Sequence, residues 1–412
     1  MPTQSKTPIK STSKVPSKVP SKTLNKLTNK FPNKFPNKFP TKALNKTPKE
    51  AQPPWIEAWR KAVHQNSRRT KLNQPITDHS LKQTFLANRE QVKDLWETYT
   101  KDRSSISVKT LNSKAATISY LLGFHASNVV RAQGVIQRSG LDHWITNQQK
   151  SGSKVRVFDF GCGTGAMSSA IQSLAKPDEF HLYDTNKSLL DTATGILNDM
   201  QATLVRSKQG NLAELNLDWF KPKSESDAHV YVLGYVWNEV LRNKRVLSLF
   251  LNLFSYHLTN GHKVTLMILD PGEETLSRAL MQLRDDLVQL GFHVTYPCPK
   301  AATTCPMLNS KKDWCYSEIA WNRTSLFEWI DSKLEINRNV LATTGFVFST
   351  PDGALVDAKR TKVVVGRPVR TTLPDRYKGF YDLLICDGTE QLKQEIPKTP
   401  KATSLRGTVF TK

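Results

Sequence analysis

Cysteine is scarce in this chain: five residues among 412. So small and odd a number does not build a disulfide framework, which points to a reducing compartment and to thiols used for metal binding or catalysis. Long apolar runs are missing too. No stretch reaches the roughly 18 residues that a membrane-spanning helix needs, and the polar N-terminus carries no secretory signal. Hydrophobic residues make up only 38%, low for a chain that is globular throughout, so part of it is expected to have no core. Acidic residues are few, 36 against 59 lysines and arginines, a net charge of +23. That excess favours a polyanionic partner, nucleic acid ahead of an anionic membrane surface. The length suits two or three domains.

What is present begins with a biased tail. Residues 1–50 hold twelve lysines and a single acid, Glu50, about half of the net charge. SKVPSKVPSK and NKFPNKFPNKFP repeat a four-residue Lys/Pro unit. Proline every fourth residue blocks helix and sheet, so an extended, disordered cationic arm is expected. The bland alternative is a spacer. A mitochondrial presequence fits less well, because the tail lacks arginine and its prolines prevent an amphipathic helix. The tail therefore suits a bacterial cytoplasm better than a mitochondrial matrix.

Residues 51–145 read as helical. Leu81, Phe85, Val92, Leu95 and Tyr99 recur at helical spacing, and a second helix carries Ile118, Leu121, Leu122 and Val129. His125, inside that helix, reads as a satisfied structural residue. Strands and helices then alternate over 146–296. Strands are expected at 155–160, 179–184, 202–206, 229–234, 263–270 and 292–296, with helices closed at Gly261 and Gly291. The fold class is α/β, a parallel, doubly wound Rossmann-like sheet.

Such sheets bind ligands at the carboxyl ends of their strands. The first strand ends in Asp159-Phe160-Gly161-Cys162-Gly163-Thr164-Gly165. Gly161, Gly163 and Ala166 satisfy the relaxed dinucleotide fingerprint, so a nicotinamide enzyme is one reading. Asp159, two residues before the glycines, and Gly165, which extends the pattern, favour S-adenosylmethionine. Asp184 ends the second strand, where a carboxylate can accept ribose hydroxyls. Cys162 reads as a small loop residue. The loop after the fourth strand, GYVWNEV, lacks both Asn-Pro-Pro-Tyr and a Pro-Cys dipeptide. Asn238 and Glu239 are its weak catalytic candidates, and either could instead cap the next helix.

Three cysteines, Cys298, Cys305 and Cys315, lie within 18 residues, spaced C-x6-C-x9-C, and Cys386 follows far downstream. This is not the C-x2-C knuckle of zinc ribbons. Four thiolates suit zinc or a [4Fe–4S] cluster equally on spacing. Buried structural thiols are the bland reading.

The motifs DFGCGTG, YVWNE, LDPGE, PCPKAATTCP and DWC together resemble the Rsm22 family, whose animal mitochondrial members are called methyltransferase-like protein seventeen. The resemblance covers roughly residues 80–395. Lys300 stands where the family has histidine, Asp270 where it has glutamate, and Tyr316-Ser317 where it has histidine-phenylalanine. It implies a class I S-adenosylmethionine-dependent methyltransferase fold. It also implies a small-ribosomal-subunit assembly factor carrying a [4Fe–4S] cluster on Cys298, Cys305, Cys315 and Cys386.

The remaining divisions follow. Residues 297–350 are the expected cysteine-rich metal segment, 351–395 a small C-terminal β unit, and 396–412 a basic tail. Arg360, Lys362, Arg367 and Arg370 would meet rRNA phosphates. The partners expected are small-subunit rRNA and ribosomal proteins, with no membrane and a monomeric chain. Two alternatives stand beside an rRNA methyltransferase: a catalytically inactive RNA-binding assembly factor, and a zinc-stabilised methyltransferase acting on a protein or small molecule.

Overall fold

The computed structural model describes residues 52–67, 75–101, 113–224, 226–300, 304–311, 313–353, 360–365, 369–370, 380–388, 391–397, 406–407 and 409–411. The expected tail over 1–50, Arg367 and most of 396–412 lie outside these. Five helices come first: α1 (Pro54–Asn66), α2 (Asp78–Lys101), α3 (Lys114–Tyr120), α4 (Ala126–Ser139) and α5 (Leu141–Lys150). Leu81, Phe85, Val92 and Leu95 of α2 are buried, as their spacing predicts. The Ser113 side chain accepts the Ala116 N–H to cap α3, and Gly140, left-handed at φ 78°, ends α4. The second expected helix is not continuous α. A π-helical turn, Leu121–His125, joins α3 to α4 and keeps Leu121, Leu122 and His125 buried.

The sheet follows: β1 (Val155–Phe160), α6 (Ala166–Leu174), β2 (Glu179–Asp184), α7 (Lys187–Asp199), β3 (Val205–Gln209), β4 (Ala228–Gly234), α8 (Trp237–Arg242), α9 (Lys244–Thr259), β5 (Lys263–Pro271), α10 (Glu274–Leu290), β6 (His293–Tyr296), β7 (Ser317–Ala320), α11 (Ser325–Leu334) and β8 (Val340–Ser349). Strands pair in the order β3-β2-β1-β4-β5-β8-β6, with β7 also on β8. The pairings among β1 to β5 are parallel, and β8 lies antiparallel between β5 and β6. A parallel sheet with one antiparallel strand inserted near its edge is the class I methyltransferase fold. The main sheet thus extends past the expected boundary at residue 296, because β8 returns to pair with both β5 and β6.

Alternation along the strands explains the two layers of helices. Val155 and Val157, then Val230 and Val232, face one core with α4, α6 and α7. Phe158 and Phe160, then Tyr231 and Leu233, face the other, with α9 and α10. The third strand starts at Val205 rather than residue 202, since Leu204 O already accepts the Phe180 N–H. Its side chains run half-buried to exposed, as suits a sheet edge, so apolar content marked its start poorly. A second sheet holds β9 (Arg360–Val364), β10 (Val369–Arg370), β11 (Phe380–Cys386), β12 (Gln391–Pro397) and β13 (Val409–Thr411), ordered β10-β11-β9-β13 with β12 on β11. Residues 52–412 form one unit.

Polar groups are buried at the amino ends of the strands. Arg156 bonds Glu179 at 3.1 Å and Asp227 at 2.5 Å, and Tyr231 Oη lies 2.7 Å from His257 Nε2. Burial pushes Glu179 up, yet bonds from Lys154 and His181 and the charge of Arg156 hold it near 2. Removing one partner of a buried pair costs about 3–5 kcal/mol. Glu179→Gln should lower the unfolding free energy by about that much at pH 7, read by urea titration. His125, His229 and His257 are held at about 3, chiefly by burial, below the usual 6.5. Their contribution is full above pH 6.5 and falls by roughly 1.4 kcal/mol per histidine per pH unit below it. Asp159, pushed up to about 7 by burial, works in the opposite direction. Three groups against one leave a net loss, so the urea midpoint should be lower at pH 5 than at pH 7.

Candidate functional site

The turn after β1 is built by backbone bonds. The N–H groups of Gly161 and Cys162 both donate to Tyr183 O, at 2.8 and 3.0 Å, tying the loop to the end of β2. Asp184 adds a second tie: Oδ2 accepts the Gly163 N–H at 2.8 Å and Oδ1 accepts the Asn186 N–H at 2.8 Å. The Thr185 N–H is a third backbone donor to this carboxylate, which still has acceptor capacity for a ligand hydroxyl. Gly165, at φ 75°, opens α6, and a Cβ there would lie 2.9 Å from Ala193 Cβ. Gly163 also has positive φ, 54°, but a Cβ would approach only the Tyr120 ring, at 3.7 Å or more. The sequence therefore needs glycine at 165 for packing and at 163 for the turn and an open approach.

Asp159 is fully buried beneath this loop. Ser168 Oγ donates to Oδ2 at 2.6 Å, while Oδ1 is buried without a hydrogen-bond partner. Burial pushes the carboxyl up to about 7; the bonds from Ser168 pull it down, and the charge of Asp184 raises it again. An unpaired buried acceptor of this kind is what a cationic ligand group would satisfy. Burial, then the charges of Asp184 and Asp159, push the Cys162 thiol well up, so it is no nucleophile. His125 does more than fill the core. Its Nδ1 lies 2.9 Å from Thr164 Oγ1 in the glycine loop. The π-helical turn places it there, and Arg338 Nη1 bonds the turn's Gly123 O at 2.6 Å. The sequence held no signal for this contact, because the π turn is invisible to a 3.6-residue periodicity.

The loop after β4 sits against the glycine loop, since a Cβ on Gly161 would meet Val236 Cγ2 at 2.9 Å. Tyr235 is held at φ 63°, an outlier for a bulky residue, and its N–H donates to Leu269 O at 2.6 Å. Asn238 and Glu239 fall in the first turn of α8. Neither caps a helix: Val236 is the N-cap of α8, and the Asn243 side chain caps α9. Asn238 Oδ1 is buried without a partner, whereas Glu239 is exposed.

The four downstream cysteines converge from separate elements. Cys298 follows β6, Cys305 precedes a short 3-10 turn, Cys315 precedes β7, and Cys386 ends β11. Cys305, Cys315 and Cys386 are buried in one cluster, with half-buried Cys298 packed against it. Gly388 N–H donates to Cys386 Sγ at 3.3 Å, and Cys305 N–H donates to Asp285 Oδ1 at 2.9 Å. Burial, then the Cys298 charge, pushes Cys305 up to about 12; burial pushes Cys386 up to about 11. As bare thiols all four would be protonated. Among the described residues no group of three or more His, Cys, Asp or Glu is arranged to hold a metal ion.

A buried cation lies among these thiols. Arg284 on α10 is fully buried, bonds Asp285 at 2.7 Å and also bonds the Cys298 thiol. Sequence periodicity could have flagged Arg284, which stands on the apolar stripe of α10 with Leu280 and Leu287.

The family model described as mitochondrial small ribosomal subunit Rsm22 matches residues 145–396, more than half of the chain. This chain belongs to the Rsm22 family. The match spans the glycine loop and all four converging cysteines. No curated protein matches the chain. Among solved structures, the methyltransferase domain of a bacterial Hen1 is 16% identical, covers 52% of this chain and 98% of that one, and has a TM-score of 0.31. Magnesium protoporphyrin IX methyltransferase from Synechocystis, with bound SAH, is 10% identical, covers 66% and 100%, and has a TM-score of 0.30. The METTL16 methyltransferase domain is 13% identical, covers 51% and 66%, and has a TM-score of 0.30. The fold of this Rsm22-family member rests on its own sheet order. Among the described residues no helix is long and apolar enough to cross a membrane.

The two glycines should respond differently to alanine. Gly163→Ala should cost about 1–2 kcal/mol, the left-handed penalty alone. Gly165→Ala adds a clash with α7 and should cost about 2–4 kcal/mol, the sum of strain and overpacking. Urea midpoints of the two variants check the order.

Proposed function

We propose that this protein is an rRNA-binding assembly factor of the small ribosomal subunit that holds S-adenosylmethionine at the glycine loop and a [4Fe–4S] cluster at Cys298, Cys305, Cys315 and Cys386. The family match, running unbroken from the glycine loop to the last of these cysteines, carries the reading. Its mitochondrial description favours the matrix over a bacterial cytoplasm. The net charge of +23 favours an RNA partner, bound through phosphate contacts that weaken with salt.

At the glycine loop, Asp159 Oδ1 would accept from the cationic amino group of the ligand, and the remaining acceptor capacity of Asp184 from a ribose hydroxyl. Bound there, the cofactor would supply a methyl group on a sulfonium. Among the acceptor-loop residues, Glu239 is exposed and Asn238 keeps a buried amide oxygen, a modest catalytic set that favours the assembly role over methyl transfer. The strained Tyr235 supports the second reading, methylation of an rRNA base, because such strain gathers at working sites. The four cysteines would join the end of β11 to the loops that precede β7, so the cluster would tie the second sheet to the first.

Two measurements test this. Asp159→Asn should weaken S-adenosylmethionine binding by about 10–100-fold in calorimetry, the worth of one charge-assisted bond. Wild-type affinity should rise as pH passes through about 7, where Asp159 ionises, and the variant should not follow. If small-subunit assembly survives in that variant while an rRNA methyl mark vanishes, the methyltransferase reading replaces the assembly reading. Anaerobically purified protein should contain about four irons per chain and lose them in Cys305→Ser. One zinc and no iron would remove the cluster.

A further inference from the structure

We infer that the edge of the main sheet, from β3 across to the start of α9, is a docking face for single-stranded RNA, with Trp219 as the platform on which a base stacks. The inference rests on the RNA-partner reading above and names where that partner sits. Strand β3 is the outermost strand of the main sheet, and four of its five residues, Arg206 to Gln209, are exposed. Its register with β2 sets Arg206 beside His181 and Lys208 beside Tyr183, so both cations project on the face that Phe158 and Phe220 occupy. Cations along an edge strand keep a further strand from pairing there. A short 3-10 turn, Leu217–Phe220, lies on the same face. Phe220 is fully buried against Phe158, Phe160 and Tyr183, and its carbonyl accepts the Tyr231 hydroxyl at 2.9 Å. Asn216 Oδ1 accepts the Asp218 N–H at 2.9 Å. The turn is therefore pinned, yet Trp219 within it stays 46% exposed, with Lys208 Nζ over its ring.

Leaving so large an apolar ring in water forgoes burial energy, which a stacked base would recover. More cations continue the face. Helix α9 covers it, since Phe250 and Phe220 both pack on the Phe160 ring, at 5.1 and 5.2 Å between centroids. Ahead of Phe250, the junction of α8 and α9 exposes Arg242, Lys244 and Arg245. Arg206, Lys208, Arg242, Lys244 and Arg245 have no carboxylate partner among the described residues. The exposed acids of these segments are Glu214, Asp218 and Glu239, and Lys221 holds Asp218 at 2.6 Å. Unpaired cations around an exposed aromatic are what a nucleic-acid strand completes: phosphates meet the charges and a base meets the ring. A duplex hides the faces of its bases, so a single-stranded segment fits. An acidic protein segment would meet the charges but leave the indole in water.

The test uses the full chain as wild type, Trp219→Ala, Trp219→Phe and a triple variant, Arg242→Gln with Lys244→Gln and Arg245→Gln. The probes are an oligouridine of about 12 nucleotides, within the span of one single-strand site, and an abasic strand of the same length. The lysines of residues 1–50 would bind phosphates on either strand, so the first readout is the ratio of the two affinities. Trp219→Ala should cut that ratio about 5–100-fold, and Trp219→Phe should cut it less. The triple variant should lower the slope of log affinity against log salt by about 2, at about 0.7 per phosphate contact. A wild type that binds both strands alike, or a wild-type ratio in Trp219→Ala, overturns the platform and leaves an RNA partner standing. An unchanged slope in the triple variant overturns the docking face as well, and decides alone if Trp219→Ala does not fold. A wild type that binds neither strand overturns the RNA partner, and the docking face with it. If polyglutamate binds as tightly as oligouridine and Trp219→Ala weakens both equally, the face takes an acidic protein segment and not RNA.

Discussion

Strand β8 is the constraint on which the rest of the molecule depends. It pairs antiparallel with β5 over Thr265 to Pro271, with β6, and with β7. Without it, the parallel sheet would end at β5 with a row of unpaired backbone groups, and β6 would have no partner. The same strand fixes the cysteine region. Thr344 Oγ1 donates to Cys315 O at 3.1 Å, and Thr343 Oγ1 to Asp270 O at 2.9 Å. Gly345 is needed on it because α4 passes close: a Cβ would lie 3.0 Å from Val135 Cγ2. One strand thus joins the end of the parallel sheet, the helical layer and the thiols.

Both candidate regions bury an ionisable group. Asp159 lies beneath the glycine loop with Oδ1 unpaired, and Arg284 lies among the thiols, held by Asp285 and Cys298. An unpaired buried oxygen costs stability unless a ligand completes it. Arg156 shows the satisfied counterpart, a buried cation held by both Glu179 and Asp227.

The legible parts of the candidate site were local. Asp159, the three glycines and Asp184 sit at strand ends that period-two alternation locates, and the loop between them is set by φ values that glycine alone adopts easily. His125 and Arg284 were not legible in the same way. A helical histidine gives no hint that a π turn aims it at Thr164, 39 residues away. An arginine on an apolar stripe is visible in sequence, but its partners lie on other segments. The role of β8 was equally hidden, since its residues read only as a strand with no indication of where it pairs.

Composition and local pattern by themselves determined the basic character, the alternating α/β architecture and the glycine loop between β1 and α6. These follow from charge count, periodicity and short-range backbone geometry, which a chain carries wherever it goes. Tertiary structure alone decided that β8 enters the sheet between β5 and β6, that Cys386 reaches the other three cysteines, and that Arg284 lies buried among them. Those outcomes depend on contacts between residues tens to hundreds of positions apart, whose energies exist only once the chain has closed on itself.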